Sequence, residues 1–202
     1  MSRKNKVKFN LKNAYYAKVT ELTEEKMTFE TPIPLPGSVS LSLDPNGENE
    51  NFYADGGVYY VISNNQGYDG DYELALIPES FRIDILGETQ DTNKVLVENA
   101  NVEASSFAFL FEFDGDVRHI KHVLYNCTAS RPGIASQTNE ETKEVKTETL
   151  SIKAAPTPSG LVKARTGDET TDSVYKDWYK AVYVPVIGET AAGSATTSGG
   201  KS

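Results

Sequence analysis

Apolar residues at every second position dominate the middle of the chain. Phe107, Phe109, Phe111 and Phe113 alternate through FAFLFEF, so in an extended strand all four rings point to one face. Asp114-Gly115 follows, and this dipeptide supplies the positive φ angles of a tight hairpin turn. A second β-rich run covers Val117 to Cys127. The pattern predicts a long antiparallel hairpin with one strongly apolar face, which a lone hairpin cannot hide from water. The register stays open. A two- or four-residue loop sets the phenylalanines beside Ile120, His122 and Leu124; a three-residue loop sets them beside Val117, His119 and Val123.

Alternation marks further strands on either side. Asn13 to Thr20 reads as a first strand and Met27 to Glu30 as a short second one. Thr31 to Gly37 (TPIPLPG) holds three prolines and is expected outside any sheet ladder. Ser38 to Leu43 alternates with Val39, Leu41 and Leu43 inward, and Asp44-Pro45-Asn46-Gly47 carries the residues of a turn. Asn51 to Ser63, with Gly56-Gly57 at its centre, predicts another hairpin. Tyr68 to Ile77 places Tyr72, Leu74 and Leu76 on one face. Val145 to Ala155 does the same with Leu150, Ile152 and Ala154, and Leu161 to Arg165 is a shorter strand.

Two stretches read as helix. Pro78 to Leu86 has Pro at its first position, Glu in its first turn and Gly87 at its end; Phe81, Ile85 and Leu86 face the sheet. Asp172 or Ser173 caps a second helix running to about Tyr179, in which Val174 and Trp178 share a face. Val182 to Ile187 is extended. Asp91 to Ala104 and Pro132 to Glu144 are polar connections. The expected fold is mainly β (α+β): a sandwich or barrel with long hairpins and one or two short flanking helices. Residues 1–12 are expected to form a flexible basic arm, 13–187 the folded domain, and 188–202 a disordered low-complexity tail.

Composition narrows the function. The 202 residues carry a formal net charge of -9 and a pI of about 4.8, which argues against tight non-specific binding to nucleic acid, since that rests on Lys and Arg neutralising phosphates. Cys127 is the only cysteine, so no internal disulfide forms and a reducing compartment is the simpler reading. Arg3, Lys4, Lys6 and Lys8 resemble the start of a signal peptide, but Asn10, Lys12 and Asn13 break up any apolar core after them. No run is long enough to span a membrane as a helix, and the protein is expected to be soluble.

Candidate chemistry is thin. His119 and His122 lie three apart, on opposite faces of a strand, and no convergent set of metal ligands accompanies them. Asp44, Asn46 and Glu48 imitate a calcium loop with its glycine misplaced. Asp114 and Asp116, like Asp69 and Asp71, read as solvated turn carboxylates, and Cys127 as an inert core residue. No phosphate loop, dinucleotide fingerprint or nucleophile elbow is present. No catalytic, cofactor-binding or metal site is therefore expected, and the chain is not expected to be an enzyme. Tyr53, Tyr59, Tyr60 and Tyr68 with Trp178 could form a sugar-stacking platform in a monomeric carbohydrate-binding or adhesion module. The plainer alternative puts them at a core rim or subunit interface.

Several segments carry a family resemblance: LPGSVSLSLDPNGENENFYADGGVYYV, NQGYDGDYELALIPESFRIDILG, VLVENA, FAFLFEFDGDV with HVLYNCTASRPG, and WYKAVY. Across roughly residues 7 to 184, in the same order, the chain resembles the major tail proteins of long-tailed bacteriophages with non-contractile tails, in the branch common among phages of Gram-positive hosts. The resemblance implies a tail tube subunit with a β-sandwich-like core and a flanking helix. Six copies form a ring, each giving four strands to an inner barrel, and rings stack into a tube that conducts DNA without binding it specifically. It implies as partners further copies of the chain, a tape-measure protein, distal tail proteins and a tail terminator. Assembly is expected in the host cytoplasm, and the finished protein in the virion tail.

Geometry permits such a tube. Twenty-four strands about 4.8 Å apart, tilted about 40°, close a barrel of roughly 45–50 Å backbone diameter. Side chains reduce the bore by about 10 Å and still leave room for a duplex about 20 Å wide. On this resemblance, residues 107 to 127 supply inner strands (Phe107, Phe109, Phe111, Phe113, Ile120, His122 and Leu124), and Leu150 and Ile152 mark a neighbouring one. Glu112, Asp114, Asp116 and Glu148 are candidate lumen or loop acids. Arg3, Lys4, Lys6 and Lys8 are a candidate inter-ring arm. The phenylalanines are expected to pack on the subunit's own core, with Glu112 and either Lys121 or His122 on the other side.

Overall fold

A computed structural model describes residues 4–136 and 145–186. In chain order the elements are β1 (Lys8–Leu22), β2 (Met27–Phe29), β3 (Ile33–Pro34), β4 (Ser38–Asn46), β5 (Asn49–Ala54), β6 (Gly57–Ser63), β7 (Gly67–Leu74) and α1 (Glu79–Asp84). After them come β8 (Thr89–Gln90), β9 (Leu96–Val97), β10 (Phe107–Gly115), β11 (Ile120–Ala129), β12 (Glu148–Ala155), β13 (Lys163–Arg165) and α2 (Asp172–Asp177). Strand accounts for 48% of the described residues and helix for 7%, so the class is mainly β. The main sheet is antiparallel, in the order β2-β1-β10-β11-β12-β7-β4, with β13 added to β11 and β3 to β1.

The phenylalanine hairpin sits at the middle of this sheet. Phe113 pairs with Ile120, Phe111 with His122 and Phe109 with Leu124, the register that an even-numbered loop requires. A bulge then shifts the ladder, so that Phe107 faces Cys127. β12 lies beside β11, and Leu150, Ile152 and Ala154 are all buried.

The sheet curls round these rings. β1 and β4 stand far apart in the strand order, yet their Cα atoms approach within 8 Å. Inside the curl, Tyr16, Tyr72, Leu74, Phe107, Phe109, Phe111, Leu124, Leu150 and Ile152 form one core with Phe81 and Ile85. Helix α1 closes the Phe107 end: the Phe81 ring meets Phe107 and Tyr16 edge-on at 5.4 and 5.0 Å. Its carboxylate at Asp84 accepts a hydrogen bond of 2.7 Å from the Tyr16 hydroxyl.

The hairpin's second face is covered too, which overturns the one-sided reading. Ala108 and Leu110 alternate with the phenylalanines and are fully buried. They pack with Ala17, Val123, Tyr125, Trp178 and Val182 in a second core. A run such as FAFLF, apolar at every position, belongs to a strand buried on both sides. Helix α2 and the chain after it form the covering layer. Trp178 is 2% exposed, stacks on Tyr183 at 5.4 Å and donates from its indole nitrogen to the His122 carbonyl.

Other boundaries move. The first strand begins at Lys8, not Asn13, because residues 8–12 pair with Glu112 to Gly115 of β10; the basic stretch is thus partly strand. The proline segment touches the ladder after all: Ile33 and Pro34 pair with Tyr16 and Tyr15 along an edge, where a missing N–H is tolerated. Asp44-Pro45-Asn46 makes no turn. It continues β4 against Asp69, Tyr68 and Gly67 and feeds the hairpin β5–β6, whose Asp55-Gly56 turn has both φ angles positive. Val39 and Leu76, expected inside, are 52% and 68% exposed, Leu76 because β7 ends at Leu74. Pro78 precedes α1 as its cap, and Thr171 precedes α2, in neither case with a side-chain capping bond. Residues 182–186 form no strand, and Ile187 and 188–202 lie outside the described residues.

Candidate functional site

Polar or exposed aromatic side chains gather on three surfaces: the end of the central hairpin, the open end of the curled sheet, and the β5–β6 hairpin arm.

At the hairpin end, the two acids expected at a lumen or loop surface are largely hidden: Glu112 is 3% exposed and Asp114 8%. Strand alternation sends Glu112 to the face that α2 covers. A buried carboxylate needs partners, and Glu112 accepts from Asn13 Nδ2 at 2.7 Å and from the Tyr179 hydroxyl at 2.9 Å. Burial and that carboxylate push the Tyr179 phenol far above its usual range. Asp114 accepts from Lys12 Nζ at 2.8 Å and Asn10 Nδ2 at 3.0 Å, and His119 Nδ1 lies 2.6 Å from its other oxygen. The Lys12 and Asn10 bonds lead in holding its carboxyl below the usual range.

Lys121, the ladder partner of Glu112, donates to the Tyr175 carbonyl at 2.8 Å and lies over the Tyr175 and Tyr179 rings. Desolvation lowers its pKa. Each group in this network has a structural partner, so the arrangement fastens the covering layer to the sheet.

The remaining acids divide. Asp116 is exposed and accepts from the Lys6 amide at 2.8 Å. Glu148 ties α1 to β12, accepting from the Ile77 amide at 2.6 Å and from Arg82 at 2.7 Å. Of the basic residues, Lys4, Lys6 and Lys8 are exposed and Arg3 lies outside the described residues. The stretch touches its own chain: Asn5 Oδ1 accepts from the Val117 and Arg118 amides, and its Nδ2 donates to the Arg118 carbonyl.

The open end lies opposite α1. There a cavity of about 220 Å³ is lined by Leu41, Leu43, Tyr68, Phe111, Phe113, His122 and Leu124, with Lys8 and Lys163 beside them. It falls at the seam where β1 and β4 approach without sharing a ladder among the described residues. His122 stacks flat on Phe111 at 5.0 Å. Burial, then the charges of Arg165, Lys8 and Lys163, push its pKa down to about 4. Lys8 sits over the Phe113 ring at 5.0 Å; Lys163 sits over Tyr68 at 4.3 Å and donates to its hydroxyl.

The arm is the hairpin β5–β6, which belongs to a two-stranded sheet of its own. Phe52, Tyr53, Val58, Tyr59, Tyr60 and Val61 are all roughly half exposed or more. Trp178 does not join Tyr53, Tyr59 and Tyr60, being buried under α2, so the five-ring platform does not form. Among the described residues no group of three or more His, Cys, Asp or Glu is placed to hold a metal ion. Cys127 is fully buried, and that burial pushes its thiol up out of the reactive range.

The chain matches no protein-family model and no curated protein. No helix among the described residues is long and apolar enough to cross a membrane.

Two features of these surfaces depend on residues brought together from distant parts of the chain. The cavity could not be read from the sequence because it joins residues from β1, β4, β7, β10, β11 and β13. The buried Glu112 did leave a trace: FLFEF interrupts an apolar run with one acid, the pattern of a carboxylate held by tertiary partners.

Proposed function

We propose that this chain is a structural subunit of a bacteriophage tail tube, of the long, non-contractile kind, and that it works by self-assembly. The observation that carries the reading is the β5–β6 arm. An acidic protein that holds six large apolar residues in water on one protruding hairpin has a surface suited to a partner. The resemblance across residues 7 to 184 implies that this partner is further copies of the chain, closing into six-membered rings that stack. Three features agree with it: the unladdered seam between β1 and β4, free strand edges, and a net charge of -9 suited to a wall that DNA passes without sticking.

In this account the tube grows in the host cytoplasm around a tape-measure protein, between distal tail proteins and a terminator, and resides in the virion tail. Mass photometry and negative-stain imaging of the purified chain test the reading. Rings or tubes are expected at modest concentration. A single 22.1 kDa species at every concentration would sink it.

The exposed Tyr53, Tyr59 and Tyr60 favour a second reading, a monomeric carbohydrate-binding or adhesion module. Binding of the monomer to a glycan array, abolished by changing those tyrosines to serine, would support that alternative.

A further inference from the structure

We propose that the cavity at the β1–β4 seam is a socket for the β5–β6 arm of a second copy. The Phe52–Tyr60 face of the arm enters among the ring walls, and Glu50 meets Lys8 and Lys163. The inference rests on the self-assembly reading and names the contact that reading needs.

Charge supplies the first argument. Residues 47–66 include Glu48, Glu50 and Asp55 and contain no Lys or Arg. The socket mouth has the opposite sign. Lys8 and Lys163 flank it, and Arg165 lies across the ladder from His122. In a chain with 29 acids against 20 bases, none of these three cations has a carboxylate within 4 Å among the described residues; Lys8 and Lys163 rest on aromatic rings instead. An incoming carboxylate would find charges that no carboxylate among the described residues neutralises.

Shape supplies the second. Phe52 lies directly opposite Tyr60 in the arm's ladder, and Glu50, two residues along, shares their face. The two rings are 57% and 64% exposed. The cavity's 220 Å³ falls below the ~300 Å³ at which small-molecule pockets usually begin, but it offers aromatic and leucine walls to a side-chain ring. Interfaces are commonly anchored in this way, by an aromatic group filling a partner's pocket inside a charged rim.

Arm and socket are different surfaces of the chain. The contact can therefore repeat head to tail, and such heterologous contacts build rings or open filaments.

The test measures association of the full chain against concentration by mass photometry, with circular dichroism to verify the fold of each variant. Phe52→Ser/Tyr60→Ser and Lys8→Glu/Lys163→Glu are each expected to weaken association about tenfold or more. Adding Glu50→Lys to the Lys8→Glu/Lys163→Glu chain is expected to restore much of it. If the parent chain assembles and folded variants assemble equally well, the socket is wrong while the self-assembly reading stands. If the variants lose association and the charge exchange restores none, the Glu50 contact is wrong. If the parent chain never associates, both readings fall.

Discussion

His122 sets a pH window for the stability of the fold. A histidine ordinarily titrates near 6.5, and in the folded chain this one holds off protonation until about 4. Its ring is pressed flat on Phe111, and three cations stand around it. Between those two values the unfolded chain binds the proton and the folded chain does not. Stability therefore rises with pH across the window and is lost as pH falls from about 6.5 to about 4. At about 1.4 kcal/mol per pKa unit the loss is roughly 3 kcal/mol. Urea midpoints at several pH values between 4 and 7 would reveal this slope, and His122→Phe, which keeps the ring contact without the titration, is expected to flatten it. An equal slope in both chains would place the sensitivity elsewhere.

Helix α2 draws its hold on the sheet from what surrounds it. It buries none of its own six residues; the residue after it, Trp178, supplies the apolar anchor, while Tyr175 and Tyr179 fasten it to Lys121 and Glu112. Replacing Trp178 with Ala removes the largest side chain of the second core and is expected to cost about 3–5 kcal/mol. Hydrogen exchange is expected to show α2 opening before the strands around Phe109, which belong to the other core. Uniform loss of protection would mean the layer and the sheet unfold as one unit. The same element shows what the sequence made legible. Alternation in β7, β10 and β12 and the spacing of Val174 and Trp178 were local signals, and these elements lie where that spacing puts them. The continuation of β4 through Pro45 was decided by a neighbour distant in sequence, Tyr68, which no local pattern reports. The lone acid Glu112 in an apolar run signals that a partner is needed, but not that the partner is Tyr179.

On the scale of the molecule, the main question is how an acidic chain with 29 carboxylates behaves toward DNA. Some of those charges are committed internally: Glu112, Asp114 and Glu148 each accept hydrogen bonds within the fold. The basic residues are scattered or engaged, with Lys12 on Asp114, Arg82 on Glu88 and Glu148, and Lys121 beneath α2. Lys8, Lys163 and Arg165, near the β1–β4 seam, have no carboxylate within 4 Å among the described residues, and the proposed arm would neutralise them in an assembly. A duplex carries one charge about every 1.7 Å, and each phosphate contact adds to affinity and to its salt dependence. Even faint attraction repeated along a stack of rings would hold a genome in place, so a conduit needs essentially none. The purified chain, whether single or assembled, is expected to leave the electrophoretic mobility of a labelled duplex unchanged at about 50 mM salt. A retarded band that disappears near 200 mM salt would reveal phosphate contacts by counterion release. That outcome would remove the physical basis for free passage, whatever rings the protein forms.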